Sequence, residues 1–209
     1  RKPTTGGDFA SDSFKVSRAL DTDVISTLSD TVVHLEDEGH KVEFFEGGIN
    51  QEEFSEAYLA FYAGKLSSLA AQLSGVPNAL GRDLLTSWVA TFMDFAEGIS
   101  KEQIQSAERY LSGLSALIDS WFETYDVVVS PVSPIVCPRL DEISPSDTFS
   151  LEHFHRMMHL LRFTGPINFG GHPAASIPVT EKSSSGIPVG AHFIAQRGAD
   201  RLLYNLAFV

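Results

Sequence analysis

One stretch of the chain places a lysine beside three serines, Glu181-Lys182-Ser183-Ser184-Ser185-Gly186. A serine can attack an amide carbonyl when a base removes its proton, and a lysine serves as that base in Ser-Lys hydrolases once burial lowers its pKa. The stretch is uniformly small and polar, which is typical of a solvated loop between two strands. We therefore expect Lys182 to stay hydrated and protonated, and we assign no catalytic role to this stretch.

A second set of residues with metal-binding spacing consists of His153, His155 and His159. The i, i+4 spacing of the last two lets their imidazoles reach one zinc ion from a helix, but zinc hydrolases usually add a glutamate base and a third ligand. Here Arg156 lies between the two histidines, and a guanidinium opposes cation binding. We expect surface or packing histidines and no bound metal.

The single cysteine, Cys137, is a third candidate for nucleophilic chemistry. A reactive thiolate needs nearby positive charge to lower its pKa, and Arg139 is the one cationic residue close to it in sequence. We expect a buried structural thiol. One cysteine also excludes an intrachain disulfide and a cysteine-rich metal cage.

The stretch from Phe163 to Ala174 combines three glycines with two prolines, which together restrict the backbone path. The side-chain amide of Asn168 offers both a donor and an acceptor that can hold such a path from inside. This composition predicts a loop over residues 165–173. It also predicts that Gly171 adopts a backbone conformation that only glycine reaches easily.

Hydrophobic spacing predicts the elements that position these residues. We expect a loop or tail over residues 1–17 and then a helix that begins at Asp21 and ends at Gly39. The proline-spaced run from Pro131 to Pro138 predicts an extended loop at the end of a strand, where open α/β sheets tend to bind ligands. The other predicted helices span 51–74, 82–96, 100–125, 150–162 and 202–209, and the predicted strands span 40–44, 126–129, 174–179 and 189–195. The last two strands should pair, with residues 182–185 exposed between them.

Composition narrows the class of protein. The chain has 209 residues, 43% of them hydrophobic, which is enough for one α/β domain or a large part of a bigger one. Its net charge of −12 disfavours nonspecific binding to nucleic acid or to an anionic membrane. Neither a membrane-spanning run nor a signal peptide is visible, so we expect a cytoplasmic protein that does not act on membranes. The missing initial methionine and the apolar pattern that stops at Val209 indicate truncation at both ends.

The glycine–proline stretch also carries a family resemblance. The pattern Pro166-x-Asn168-x-x-Gly171-x-Pro173-Ala174-x-x-x-Pro178 resembles the C-terminal part of the amidase signature family. Further pieces follow in the family's order, although Ser133 stands near the position where the family often has a threonine. These pieces are Leu35-Glu36-x-x-Gly39-His40-x-Val42, Gly98-Ile99-Ser100 with Ala107, Asp126-Val127-Val128-Val129-Ser130-Pro131, Gly186-x-Pro188-x-Gly190 and Asp200-x-x-Leu203.

The resemblance implies an α/β fold, with a mixed central β-sheet flanked by helices in one large domain. It also implies hydrolysis of amides, and sometimes esters, by a lysine base and two serines, with the oxyanion held by a Gly/Ser-rich loop. That loop belongs to the family's N-terminal half, and nothing in this chain matches it. We therefore expect residues 18–209 to be the C-terminal portion of a single amidase domain whose catalytic half is absent. We assign this portion no catalytic residue and no cofactor, and we expect it to be inactive alone.

Substrate-binding residues follow only from the resemblance, because in the family the corresponding helix and loop border the acyl pocket. It implies that Met158, Leu161 and Asn168 contact the substrate. Phe154, Met158 and Leu161 have the i, i+4, i+7 spacing of one apolar stripe, and an ordinary core stripe remains the alternative. The expected partners are a small-molecule amide and the N-terminal half of the same domain, and a homodimer is left open.

Two other functions remain open. One is a catalytically silent binding or scaffold module that keeps part of the fold. The other is the amidating subunit of a glutamine-dependent tRNA amidotransferase, which shares the family's fold, although the charge of −12 weighs against direct contact with RNA. A lysine and a Gly/Ser-rich loop upstream of Arg1 would indicate an enzyme, and their absence would indicate a module.

Overall fold

The computed structural model describes residues 20–74, 85–144, 147–180, 183–184 and 186–207. Within these ranges most of the predicted helices and strands are confirmed with small shifts at their ends. The helices are α1 (Thr22–Asp37), α2 (Gln51–Ser74), α3 (Ser87–Ala96), α4 (Lys101–Trp121), α5 (Leu140–Ile143), α6 (Leu151–Leu160), α7 (Gly165–Gly170) and α8 (Asp200–Leu206). The strands are β1 (Val127–Pro131), β2 (Ala174–Thr180) and β3 (Val189–Ala195).

The helix ends follow the capping residues. The side chain of Asp21 accepts a hydrogen bond from the backbone N–H of Asp23 at 3.2 Å, and Gly39, at φ +88°, follows the end of α1. Ser100 Oγ accepts from the Gln103 N–H at 3.2 Å, while Gln103 Oε1 accepts from the Ser100 N–H at 2.8 Å. This reciprocal capping box satisfies two N–H groups that would otherwise lack a partner at the start of α4.

The main core forms where α4 packs against α2 and α7. One face of α4 is buried along its whole length, as its 3.6-residue periodicity predicts. That face consists of Ala107, Leu111, Leu114, Ile118 and Trp121. Phe54 of α2 and Ile167 of α7 complete the same cluster, at 1% and 3% exposure. In the described ranges no helix is both long enough and apolar enough to cross a membrane.

The three described strands form a sheet with β3 in the centre, paired antiparallel with β1 on one side and β2 on the other. The predicted pairing of residues 174–179 with 189–195 is therefore confirmed. Phe193 and its neighbours on one sheet face pack against α1 and α8, whereas Ile194 on the other face joins the core around α4. Helices thus cover both sides of a β-sheet, and the α/β fold class is confirmed.

The predicted strand at residues 40–44 is wrong, because this segment has no regular secondary structure. Its alternating pattern exposes Phe44 almost completely, at 90%. Side chains hold the segment in place instead: Trp121 Nε1 donates to the Gly47 carbonyl oxygen at 3.1 Å, and Phe45 packs edge-on against Trp121. Alternation alone does not make a strand, since a strand also needs a partner for its backbone groups.

The predicted loop at residues 165–173 is only partly correct, because its first six residues form α7. Pro166 lies in the first turn, where its missing N–H is not needed, and Gly171 lies just after the last turn. Gly171 adopts φ +72°, and its N–H donates to the Asn168 carbonyl oxygen at 3.2 Å. The prediction of a glycine-favouring backbone conformation at this position is confirmed.

Candidate functional site

The two predicted binding residues on or next to α6 differ in exposure. Ser150 caps this helix by accepting from the His153 N–H at 3.2 Å. Met158 is only 6% exposed and belongs to the main core. Leu161 follows the last residue of the helix and is half-buried. Phe154, at the other end of the stripe, packs against Tyr58 of α2 with ring centroids 6.1 Å apart.

Asn168 lies on α7 and is exposed. Its neighbour Phe169 packs against three aromatic rings of α2, those of Phe54, Tyr58 and Phe61, at centroid distances of 5.4 to 6.0 Å. Because successive side chains on a helix point about 100° apart, anchoring Phe169 on α2 directs Asn168 towards solvent. The structure thus places Met158 in the core and Asn168 on the surface, and their contact with a substrate stays a prediction.

A buried histidine that sequence reasoning missed lies just after α7. The side chain of His172 is 0% exposed, and its Nε2 lies 3.0 Å from Asp119 Oδ1 at the end of α4. Asp119 also pairs with Arg197, which follows β3, and the Phe122 ring stacks on the imidazole. These contacts tie the α7–β2 connection to α4 and to the turn after the central strand. Only the fold brings these positions together, 53 and 78 residues apart in the chain.

A serine–histidine pair lies on the sheet. Ser130 of β1 and His192 of β3 are directly opposite each other, and Ser130 Oγ lies 3.1 Å from His192 Nδ1. His192 is 5% exposed, and burial lowers its pKa to about 4. The imidazole is therefore neutral at neutral pH. Sequence reasoning missed this pair because strand register decides which residues face each other.

The pair has the distance of a nucleophile and its base but not the chemistry. A general base works best when its pKa lies near the working pH, and a pKa of about 4 makes His192 a weak base at pH 7. Among the described residues, no carboxylate hydrogen-bonds to this imidazole to strengthen it. The geometry therefore favours a structural hydrogen bond between β1 and β3.

The serine-rich loop is more ordered than a fully solvated loop. Ser183 is 9% exposed, so the expectation that it is exposed is wrong, whereas Ser184 is exposed as expected. Both the N–H and the Oγ of Ser184 donate to Asp23 Oδ2, at 3.0 and 2.7 Å. Lys182 and Ser185 lie outside the described residues. The described serines contribute to local structure and to the attachment of this loop to α1.

The expectation of a buried cysteine is wrong, because Cys137 is exposed on the loop after β1. His155 and His159 are half-buried on α6, and burial lowers the pKa of both. The charge of Arg162 lowers the pKa of His159 further. No three His, Cys, Asp or Glu side chains in the described ranges are grouped as a metal site requires, and the absence of zinc stays a prediction.

Comparison with known proteins connects this geometry to a family. The family model for amidases matches residues 10–204. AmiC of Mycobacterium leprae (strain TN), provisionally named an amidase, is 28% identical over 176 residues, which make up 83% of this chain and 36% of AmiC. One component of the glutamyl-tRNA(Gln) amidotransferase of Staphylococcus haemolyticus (strain JCSC1435) is 34% identical over 91 residues, or 43% of this chain and 17% of that component.

A solved structure shares the fold. The 6-aminohexanoate cyclic dimer hydrolase, in complex with its substrate, superimposes with a TM-score of 0.73 at 22% identity, over 90% of this chain and 40% of that chain. This chain thus spans little more than a third of the length of AmiC. The family match includes the Asn168–Pro178 pattern and the two strands that pair after it. The chain belongs to the amidase family.

Proposed function

We propose that this chain is the C-terminal, pocket-forming portion of a hydrolase that cleaves amide bonds with a Ser-Ser-Lys triad located outside the chain. The observation that carries the proposal is the amidase match over residues 10–204, in a sequence without the Gly/Ser-rich loop that the family resemblance leads us to expect upstream. The expected substrate is a small-molecule amide. The expected partner is the N-terminal half of the same domain.

The placement of α6 and α7 supports a role in forming one wall of the pocket. Asn168 is exposed, and its side-chain amide can both donate to and accept from an amide substrate. Leu161 is half-buried and offers an apolar contact for an acyl group. Met158 is buried, so in this proposal it supports the wall from the core side.

The chemistry of the described residues supports a triad elsewhere. Amide hydrolysis needs an activated nucleophile, a base poised near the working pH and donors for the developing oxyanion. The Ser130–His192 pair has a weak base, and Ser184 is bonded to Asp23. We therefore propose that this chain contributes binding surface and sheet strands. Its cytoplasmic location and a homodimer remain further proposals.

The test compares this chain with the same polypeptide extended through a catalytic N-terminal half. Each is offered a set of aryl and alkyl primary amides, and ammonia release is measured. We expect turnover only from the extended polypeptide. Turnover by the short chain that Lys182→Ala abolishes would overturn the proposal. If neither polypeptide hydrolysed an amide or ester, the binding-module alternative would be the better account.

A variant pair tests the pocket wall within the extended polypeptide. Asn168→Ala should raise KM or lower kcat, because it removes the amide donor and acceptor. Asn205→Ala is a matched control, since Asn205 is also an exposed helical asparagine but lies on α8. Equal kinetics for the two variants would remove Asn168 from the site.

The amidotransferase component remains a second candidate, favoured by the 34% identity to its staphylococcal counterpart over 91 residues. Glutamine would then be the amide that supplies ammonia, and a glutamyl-tRNA would receive it. Glutamine hydrolysis that requires a charged glutamyl-tRNA would support this candidate. Hydrolysis of simple amides without any RNA would favour the first.

A further inference from the structure

A cleft of about 240 Å³ opens between α2, α4 and α6, at the Phe154 end of the apolar stripe. Its apolar lining includes Ala57, Ala107 and Phe154, which come from the three different helices. Apolar walls with a few converging polar groups are typical of sites for small molecules, and this volume is at the small end for such sites. The cleft is therefore a candidate site for a small ligand.

The charged groups of the cleft all have the same sign. Glu53 and Glu56, one helical turn apart on α2, both line it, and no lysine or arginine is among the lining residues. The charge of Glu53 is felt by Tyr110 on the α4 wall, where burial first and this charge second raise the pKa of Tyr110 to about 12. The charge of Glu56 is felt by His155 on the α6 wall, although burial lowers the pKa of that histidine overall.

These features select the class of ligand. An anion would meet two carboxylates, and a metal ion would lose its hydration against alanine and phenylalanine side chains that offer no ligands. An organic cation satisfies both parts of the lining, because its apolar body removes the floor from water while its charge faces the carboxylates. The Phe154 ring adds a surface that favours a cation.

We propose that this cleft binds a small primary alkylammonium ion, with the ammonium group at Glu53 and Glu56 and the alkyl chain against Ala57, Ala107 and Phe154. The site does not depend on the proposed amide hydrolysis, since it uses none of the residues assigned to that role. An ammonium group donates three hydrogen bonds and so can engage both carboxylates together.

The test titrates the 209-residue chain with n-butylammonium chloride and follows backbone amide resonances by NMR. Saturable shifts should appear at Gln103, Ser106 and Tyr110, which line the cleft. Affinity should fall as salt rises, because the attraction is partly electrostatic. Butan-1-ol and butyrate, of the same chain length, should bind at least about tenfold more weakly, a difference of roughly 1.4 kcal/mol. Equal binding of butan-1-ol, or no saturable shift with n-butylammonium, would overturn the proposal.

Matched variants locate the charge. The combined change Glu53→Gln and Glu56→Gln keeps the size of both side chains and should weaken n-butylammonium binding at least about tenfold. The control is Glu102→Gln with Glu108→Gln, two exposed glutamates of α4 outside the cleft, which should leave binding unchanged. Glu53 and Glu56 are themselves exposed, and circular dichroism verifies that both double variants fold. Unchanged binding in the first double variant, or equal weakening in both, would overturn the proposal.

Discussion

The Nδ1 atom of His192 lies 3.1 Å from the Oγ of Ser130, and this bond joins the central strand β3 to β1. Burial lowers the pKa of His192 from 6.5 to about 4, so the folded chain keeps the imidazole neutral where an unfolded chain would begin to protonate it. Stability is therefore linked to pH through this residue.

The first prediction concerns that linkage. As pH falls from about 6.5 to about 4, the unfolded state binds a proton at His192 that the folded state does not, so the free energy of unfolding should fall. The full loss from this group is on the order of 3 kcal/mol. Urea unfolding at a series of pH values measures it, and His192→Gln should remove this part of the pH dependence.

An exposed histidine provides the control for that experiment. His34→Gln changes an exposed residue of α1 and should keep the pH dependence of the unmodified chain. A His192→Gln variant with that same pH dependence would show that the buried imidazole does not set it.

Helix positions were the part of the fold most open to prediction from sequence. The apolar face of α4 and the cap at Ser100 are encoded within one local stretch, so periodicity and capping predict them. The segment at residues 40–44 shows the limit. Its alternation satisfies the local rule for a strand, but strand formation requires backbone partners elsewhere in the chain, and residues 40–44 form no strand.

The second prediction concerns Gly171, whose φ is +72°. An added Cβ would meet no atom within 4 Å, so any cost of substitution comes from the backbone conformation and not from crowding. Gly171→Val should lower the free energy of unfolding by about 1–3 kcal/mol. Asn tolerates this conformation better than a β-branched residue does, so Gly171→Asn should cost clearly less. Equal thermal midpoints for Val and Asn would show that backbone strain does not decide the result.

The site residues were less open to prediction than the helices. Asn168 could be named from the family pattern, but its exposure depends on Phe169 packing against α2, which no local rule gives. The pairs Ser130–His192 and Asp119–His172 join residues 62 and 53 positions apart. Such contacts depend on strand register and on where a helix ends in space, and a single sequence specifies neither directly.

The third prediction concerns the contact between Asp119 and His172. The imidazole of His172 is fully buried, Asp119 holds its Nε2, and its Nδ1 has no hydrogen-bond partner in the part of the chain that the structure describes. Asp119→Ala would leave both ring nitrogens unpaired inside the protein, at a cost of about 2–3 kcal/mol in the free energy of unfolding by urea. Arg197→Ala removes the other partner of Asp119 but leaves the imidazole bonded, and this half-exposed ion pair should be worth less than about 1 kcal/mol. Equal losses in the two variants would mean that the buried imidazole does not depend on Asp119.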